Sequence, residues 1–377
     1  MTSYPKPIDE ILDAARLRAA FDAVEPLTVG LEEEAILVDA ATLAPLPRAG
    51  DVLERLDGDP RFKLELPAVQ LEIVLPPAAT VTESTLALAL ARRDLATAAA
   101  GIGRLAAAGA HPLAHPLGEL NDGPHHAEIA AEYGRVAELQ GVCALQVHVA
   151  VGGHARTLAV YNALRSHLPE LAALAANAPY YAGMDTGLAS VRPKICDVLP
   201  RQGVPPALAS WDELAEAHRW GAAAGALPVP GRWWWELRPH PVHGTLELRV
   251  PDAQSTVADA AAVAAFAHAL VAWLAARHDA GDLPAPDPTW RIEENRWQAC
   301  RHGLDGELAD LRTGERAPAR ERLAERLDEL AGTAAALGCA HGLERARELL
   351  RENGGERQRR AGGPREAAGQ IVEEYLA

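Results

Sequence analysis

The residues whose types and spacing most directly indicate chemistry are glutamates. Glu32 and Glu34 stand two positions apart in LTVGLEEEAILVD, where β-branched residues and alternation predict a strand over residues 27–38. Side chains two positions apart in a strand project from the same face, so Glu32 and Glu34 share a face while Glu33 points to the other. The pattern predicts two neighbouring carboxylates on one side of a sheet.

The same alternation places polar pairs on one face of further predicted strands. The pairs are Gln146 with His148, Glu236 with Arg238, and Glu247 with Arg249. Leucine and valine occupy the opposite faces of CALQVHVAVGG and TLELRVPD, which is typical of an antiparallel sheet with one face on the core. A solvated face is the simpler interpretation of any single pair, but glutamate dominates where Thr, Lys, Ser and Arg are usual.

Clustered carboxylates require a compensating cation. Two carboxylates ~4 Å apart repel by roughly 4 kcal/mol at an effective dielectric of about 20. All-oxygen ligands favour a hard divalent ion, Mg²⁺ or Mn²⁺, over zinc. The candidate metal ligands are Glu32, Glu34, Glu65, Glu72 and Glu247.

Glu65 and Glu72 lie in the extended segment FKLELPAVQLEIVLP, seven positions apart. In one regular strand they would face opposite ways. Pro67 between them predicts an edge, a bulge or a break between two short strands, and such an irregularity can restore a common face.

Other polar and aromatic residues admit two interpretations each. Arg238 and Arg249 could bind phosphate or carboxylate through paired hydrogen bonds, or they could pair with the glutamates. Trp233 to Trp235 are interpreted as core and hairpin residues, with a contact to substrate or a base as the alternative. Four histidines in Pro-containing, loop-like sequence are interpreted as surface residues. They are His111, His115, His125 and His126.

Composition excludes several other classes of function. The chain has 377 residues, of which 49% are hydrophobic, and a formal net charge of -16. This acidic balance argues against a surface for nucleic acid or anionic membranes. No GxxxxGK[ST] motif occurs, and no GxSxG or GxGxxG accompanies a strand-to-helix turn, so P-loop, serine hydrolase and Rossmann interpretations lack support.

The cysteines and the apolar segments predict a cytoplasmic protein. The four cysteines are scattered without a CxxC or other paired spacing, which fits reduced thiols. The chain does not begin with a basic segment and an apolar core, so we expect no secretory signal. The longest apolar run, residues 260–276, is rich in alanine and is interpreted as a buried helix rather than a membrane span.

The order of the predicted elements indicates the α+β class with a mainly antiparallel sheet. Helices are predicted over residues 8–24, 82–108, 157–176, 257–277 and 317–331, and from residue 343 onward. The clearest hairpin runs from RWWWELRPH through PVHG to TLELRVPD. Residues 178–206 form a long loop of the kind that is often functional.

Six motifs in order resemble those of the bacterial carboxylate-amine ligases related to glutamate–cysteine ligase, type 2. They are GLEEE, ELPAVQLEIVLPP, CALQVHVAVG, NAPYYAGMDTGLASVR, WELRPHPVHGTLELRVPDAQSTVADA and ENRWQACRHGLD. They cover about residues 25–308, and the ordered series is far more specific than any one motif. The resemblance implies a single catalytic domain over residues 1–377, with residues 309–377 as its helical completion.

The resemblance also implies a glutamine synthetase-like sheet, with one polar, metal-binding face and helices packed on the other. ATP and about two or three Mg²⁺ ions, or Mn²⁺, would be held against that face. By resemblance Glu32, Glu34, Glu65, Glu72 and Glu247 are the metal ligands. Arg249 resembles the arginine that stabilises the transferred phosphoryl group, and Arg238 and Arg192 resemble residues that bind substrate carboxylate or phosphate.

One motif departs from the pattern of the family. Relatives often read HVH where this chain has Gln146, Val147 and His148, and the first position meets a metal in some of them. Other branches read QVN. Gln146 and His148 are therefore candidates for the ATP and metal site, and we expect His148 to hydrogen-bond a substrate or phosphate oxygen rather than to bind the metal.

The implied activity is an ATP-dependent ligation of glutamate to an amine, by resemblance cysteine, through an acyl phosphate. Three alternatives stay open: another amine, a nucleotide-binding relative without turnover, and a metal-dependent phosphohydrolase. The expected partners are small molecules, with no nucleic acid and no membrane, and a homodimer is the candidate assembly. Because crowded carboxylates repel, replacing Glu32 or Glu247 by glutamine is expected to abolish turnover and to leave the fold intact or stabilised.

Overall fold

An antiparallel sheet organises the computed structural model of the chain, which describes residues 13–227 and 230–377. The strands among these residues are β1 (Val29–Val38), β2 (Phe62–Leu64), β3 (Gln70–Val74), β4 (Arg104–Ala106), β5 (Leu145–Val149), β6 (Tyr180–Tyr181), β7 (Met184–Asp185), β8 (Leu237–His240), β9 (Thr245–Leu248), β10 (Glu307–Ala309) and β11 (Arg316–Pro318). The main sheet has the order β2-β3-β1-β5-β9-β8, with β4 paired to the end of β1. β6 with β7 and β10 with β11 form separate hairpins.

The described part of the chain also contains α-helices. They are α1 (Ala14–Asp22), α2 (Ala49–Glu54), α3 (Val81–Ala99), α4 (Pro124–Tyr133), α5 (His154–Leu164), α6 (Leu168–Leu174), α7 (Arg192–Cys196), α8 (Trp211–Ala223), α9 (Val257–Asp279), α10 (Thr289–His302), α11 (Ala319–Ala336), α12 (Ala340–Leu349), α13 (Gly354–Ala361) and α14 (Pro364–Glu373). Residues 8–12 of the first predicted helix lie outside the described residues. The α+β class with a mainly antiparallel sheet is confirmed.

The apolar face of the main sheet packs against α3 and α9. Leu31, Val147 and Leu248 lie on this face and are at most 1% exposed. Helix α9 begins where the Thr256 hydroxyl accepts a hydrogen bond from the Asp259 amide at 3.0 Å. By length and composition α9 could cross a membrane, but most of its residues are buried inside the protein. The prediction of a buried core helix is confirmed.

A buried ion pair crosses this apolar layer. Glu33 and Arg92 are both 0% exposed, and the guanidinium donates to the two carboxylate oxygens at 2.6 and 2.7 Å. Arg92 also donates to the carbonyl groups of Gln254, Ser255 and Tyr375. The pair therefore ties β1 to the segment after β9 and to the last helical turn, and loss of one partner would cost roughly 3–5 kcal/mol.

Three predicted elements are divided differently in the structure, and one of them is the helix predicted over residues 157–176, which forms α5 and α6. The extended segment around Pro67 is a hairpin of β2 and β3, with a hydrogen bond from the Gln70 amide to the Pro67 carbonyl at 2.9 Å. Pro67 therefore marks the predicted break between two short strands. The helix predicted over residues 82–108 ends at Ala99, because Gly101 reverses the chain at φ 78° and residues 104–106 pair with β1 as β4.

Candidate active site

Three glutamates meet where β1, β2 and β3 lie side by side. Glu34 lies directly opposite Glu72 in the sheet register, and Lys63 lies opposite Glu72 on its other side. Glu65, two positions after Lys63, faces the same way. Oxygens from Glu34, Glu65 and Glu72 all lie within 4.8 Å of one another. We call these three glutamates the acid end of the polar face.

The acid end concentrates negative charge in a buried place. Burial raises the pKa of Glu34 to about 7, and the nearby carboxylate of Glu65 acts in the same direction. Burial likewise raises the pKa of Glu65. Lys63 forms an ion pair with Glu72, but its side chain is one-third exposed, and one ammonium does not balance three carboxylates. The acid end therefore suits a divalent cation, whose ligand oxygens stand at about 2.1 Å from Mg²⁺.

The other half of the polar face carries its own cations. Glu247 accepts hydrogen bonds from Arg238 Nε at 2.6 Å and from Arg249 Nη1 at 2.5 Å. Burial alone would raise the pKa of Glu247, but the two guanidinium groups outweigh it and hold the pKa well below its usual range. We call Glu247, Arg238 and Arg249 the arginine end. The sequence placed Glu247 among the candidate metal ligands. In the structure two arginines contact its carboxylate, and its role as a metal ligand stays a prediction.

Gln146 connects the two ends. Its side-chain amide nitrogen donates to Glu34 at 3.1 Å and to Glu72 at 3.3 Å, and its amide oxygen accepts from Arg249 Nη1 at 2.7 Å. In this orientation the glutamine presents its donor, not its oxygen, to the acid end. Gln146 lies opposite Glu32 in the register, so the strand alternation placed it correctly beside the glutamates.

His148 points its free nitrogen between two glutamates. Nδ1 is hydrogen-bonded with the Thr245 hydroxyl at 3.0 Å. Nε2 is buried without a hydrogen-bond partner among the described residues, at 3.7 Å from Glu32 Oε1 and 3.9 Å from Glu247 Oε2. A ligand atom bound at Nε2 would therefore lie close to both carboxylates.

Arg192 lies at the first residue of α7, in the long loop that sequence reasoning singled out. Its guanidinium donates to the carbonyl groups of Arg249 and Val250 at 2.9 and 3.1 Å, and it stands 3.8 Å from Asp252. The side chain is 8% exposed. Arg192 therefore contacts the backbone beside Arg249, and its predicted role in binding substrate stays a prediction.

Sequence reasoning missed two features of this region. No role was predicted for Lys63, because strand alternation does not give the hairpin register that brings it opposite Glu72. His111 was interpreted as a surface residue but is 1% exposed, and burial lowers its pKa to about 3. The segment around His111 lies beside the start of β5, where the Cys143 amide donates to the Gly109 carbonyl at 2.9 Å.

A sequence model of glutamate–cysteine ligase family 2 (GCS2) matches residues 28–375, which span the whole polar face just described. The chain belongs to this family. The match includes all the predicted metal ligands and the three arginines that the resemblance singled out.

Two relatives support the membership of glutamate–cysteine ligase family 2. A Rubrobacter xylanophilus protein, provisionally named glutamate–cysteine ligase 2-3, is 39% identical over 368 residues, which are 96% of this chain and 99% of the relative. A Natronomonas pharaonis protein named glutamate–cysteine ligase is 34% identical over 353 residues, which are 89% of this chain and 94% of the relative.

Solved structures confirm the glutamate–cysteine ligase-like fold. The Francisella tularensis glutamate–cysteine ligase, in complex with AMP, has a TM-score of 0.67 at 12% identity. The match covers 93% of this chain and 88% of the Francisella chain. A bifunctional glutathione synthetase from Pasteurella multocida has a TM-score of 0.63 at 15% identity. The match covers 98% of this chain and 54% of the Pasteurella chain. At these identities the likeness concerns the fold.

Proposed function

We propose that this family member is an ATP-dependent ligase that joins the γ-carboxylate of glutamate to an amine, with cysteine as the first candidate. The observation that carries the proposal is the pairing, on one sheet face, of the carboxylate-rich acid end with the arginine end. The first suits the cations that accompany ATP, and the second suits a phosphoryl group in transfer. The AMP in the Francisella relative supports a nucleotide substrate.

The donor set fits Mg²⁺ or Mn²⁺ because it consists of carboxylates, two of them with a raised pKa. Glu32, Glu34, Glu65, Glu72 and Glu247 would hold the ions. When bound, the ions would neutralise phosphate charge and act as Lewis acids.

The residues of the chain orient the reacting groups. Arg249 is fixed by Glu247 and Gln146, so its remaining nitrogens can stabilise the charge on the transferred phosphoryl oxygens without reorganisation. The glutamate γ-carboxylate attacks the terminal phosphoryl group of ATP, the bond to ADP breaks, and an acyl phosphate forms. The amine then attacks the acyl carbon and expels phosphate, and His148 Nε2 is placed to hydrogen-bond an oxygen of these groups.

Product identification tests the proposal. The protein is incubated with ATP, Mg²⁺, glutamate and a panel of amines, and ADP, phosphate and amides are measured by mass spectrometry. We expect ADP formation to require glutamate and to be accelerated by amines, cysteine among them. The exposed Glu54, replaced by glutamine, is the control for Glu32→Gln, which should lose turnover. ADP release that is indifferent to glutamate and amine would instead indicate a phosphohydrolase.

A further inference from the structure

Helix α13 lies against the loop that leads to Arg192. We call residues 178–191, which include the β6–β7 hairpin, the Arg192 loop. The amide of Gly355, in the first turn of α13, donates to the Ala176 carbonyl at 2.9 Å. A Cβ on Gly355 would stand 3.1 Å from that oxygen and 3.0 Å from the Ala189 carbonyl oxygen. The absence of a side chain therefore lets α13 approach both ends of the loop closely.

Gln358 joins α13 to Asn177, the residue that precedes the Arg192 loop. Both residues are 0% exposed. Gln358 Nε2 donates to the Asn177 carbonyl at 2.9 Å and to Asn177 Oδ1 at 2.8 Å. Asn177 Nδ2 in turn donates to the Ala253 carbonyl at 2.8 Å and to the Ser255 hydroxyl at 3.2 Å. Because buried polar groups ordinarily keep their hydrogen-bond partners, Gln358 fixes both the backbone and the side chain of Asn177.

Asn177 continues the connection towards the arginine end. Its backbone amide donates to Asp252 Oδ2 at 2.7 Å. Asp252 Oδ1 stands 3.8 Å from the guanidinium of Arg192, which donates to the carbonyl groups of Arg249 and Val250. These contacts connect α13 with the backbone of Arg249, the residue to which the proposed function assigns the transferred phosphoryl group.

Other contacts of the Arg192 loop are weaker or belong to another helix. The Cys300 carbonyl, in α10, accepts a hydrogen bond from the Ala189 amide at 2.9 Å. Arg359, in α13, donates to Asp185 and to the Leu188 carbonyl, both at 2.8 Å. The ion pair of Arg359 with Asp185 is half-exposed and contributes little. The buried hydrogen bonds of Gln358 are therefore the strongest side-chain connection from α13.

We propose that Gln358 is a positioning residue for the ligase reaction, acting through Asn177 and Asp252 on Arg192 and the backbone of Arg249. The inference rests on the proposed function. Arg249 can stabilise the transferred phosphoryl group only if its nitrogens are held where charge develops. A displacement of about 1 Å can cost roughly 100-fold in rate. Loss of Gln358 should therefore lower kcat, although Gln358 itself lies outside the polar face.

The test uses Gln358→Met, which keeps the length of the side chain and removes the donor. We expect kcat to fall by about tenfold and the KM of ATP to stay within about twofold of the unmodified value. In an Arg192→Met background, Gln358→Met should change kcat by less than about twofold, because the group through which it acts is already lost. Equal effects of Gln358→Met in the two backgrounds would overturn the proposal.

A pair of glycine variants tests the docking of α13 without altering Gln358. Gly355→Ala places a Cβ against the two carbonyl groups at the ends of the Arg192 loop, so it should lower kcat as Gln358→Met does. Gly332→Ala is the matched control, because a Cβ on Gly332, within α11, would meet no atom of the described residues within 4 Å. It should leave kcat unchanged. Equal kcat values for the two glycine variants would contradict the proposal.

Arg345→Met is the control for general loss of stability. Arg345, in α12, donates to the buried carboxylate of Asp259 in α9 at 2.7 Å and does not belong to the connection through Asn177. Its loss should lower the Tm without lowering kcat. If Arg345→Met lowers kcat as much as Gln358→Met does, the effect is one of stability and the positioning role is refuted.

Hydrogen exchange separates the positioning role from the ligase function. Amides of the Arg192 loop should exchange about tenfold faster in Gln358→Met than in the unmodified protein, and amides of α11 no faster. Unchanged exchange of the loop or an unchanged kcat would overturn the proposal. Faster exchange of the loop, in a protein whose unmodified form makes no amide product, would support the connection from α13 to Arg192 and count against the ligase function.

Discussion

The two ends of the polar sheet face use the same residue type in opposite electrostatic surroundings. At the acid end, burial and the charge of Glu65 raise the pKa of Glu34 to about 7. At the arginine end, two guanidinium groups outweigh burial and hold the pKa of Glu247 well below its usual range. The acid end thus needs cations from outside the chain, whereas the arginine end has them in the chain.

This difference changes what substitutions should do to stability. From the sequence, removal of charge at Glu247 was expected to leave the fold intact or stabilised. Because Glu247 pairs with Arg238 and Arg249, its loss would leave two arginines without their buried carboxylate. The stabilising outcome is now expected for the acid end alone.

The largest effect is expected for Glu247→Gln. Turnover should fall by about 100-fold or more, since Arg249 loses the group that orients it. The free energy of unfolding should fall by roughly 3–5 kcal/mol, because the pair is broken on one side. Urea denaturation at neutral pH measures the second effect. Unchanged or increased stability of this variant would remove the distinction between the two ends.

Glu34→Gln should lose turnover as well but become more stable when divalent ions are removed with a chelator. A carboxyl whose pKa is raised from 4.5 to about 7 on folding destabilises the protein by up to about 3 kcal/mol above pH 7 and not at all below pH 4.5. The stabilisation should therefore appear as the pH rises through this window. Thermal melts of both proteins across the window provide the measurement, and a gain that is the same at pH 4 and pH 8 would refute the electrostatic explanation.

Strand alternation was sufficient to predict which side chains share the polar face. Glu32, Glu34, Gln146 and His148 lie where the period of two placed them. Alternation cannot predict register between strands, because register depends on turn geometry and on packing. For that reason the contact of Lys63 with Glu72 could be recognised only in the folded hairpin.

The sequence also did not predict the long-range ion pair on the apolar face. Glu33 was placed on that face, but its partner Arg92 lies on α3, 59 positions later. A charged residue on a core face is recognisable from alternation, whereas the residue that neutralises it depends on how α3 packs against the sheet.

A smaller effect is expected at the junction of the two ends. His148→Ala should lower turnover by about tenfold and be insensitive to added Mg²⁺, because an imidazole suits an anionic oxygen better than Mg²⁺. Gln146→His should lower the Mg²⁺ concentration for half-maximal rate. Mg²⁺ titrations at saturating ATP and glutamate measure both. If excess Mg²⁺ cures the His148→Ala defect, His148 is a metal ligand.

The smallest effect is expected for Lys63→Met, which removes an ammonium that contacts the acid end. Glu72 is 1% exposed while Lys63 is one-third exposed, so the pair is only partly shielded from water and its loss should cost about 1 kcal/mol of stability without divalent ions. The same change makes the acid end more negative, so the Mg²⁺ concentration for half-maximal rate should fall. Lys194→Met is the matched control, because Lys194 has the same side-chain exposure but pairs with Asp197. A higher Mg²⁺ requirement in Lys63→Met, with Lys194→Met unchanged, would mean that Lys63 helps to bind the phosphates instead of competing with the cation.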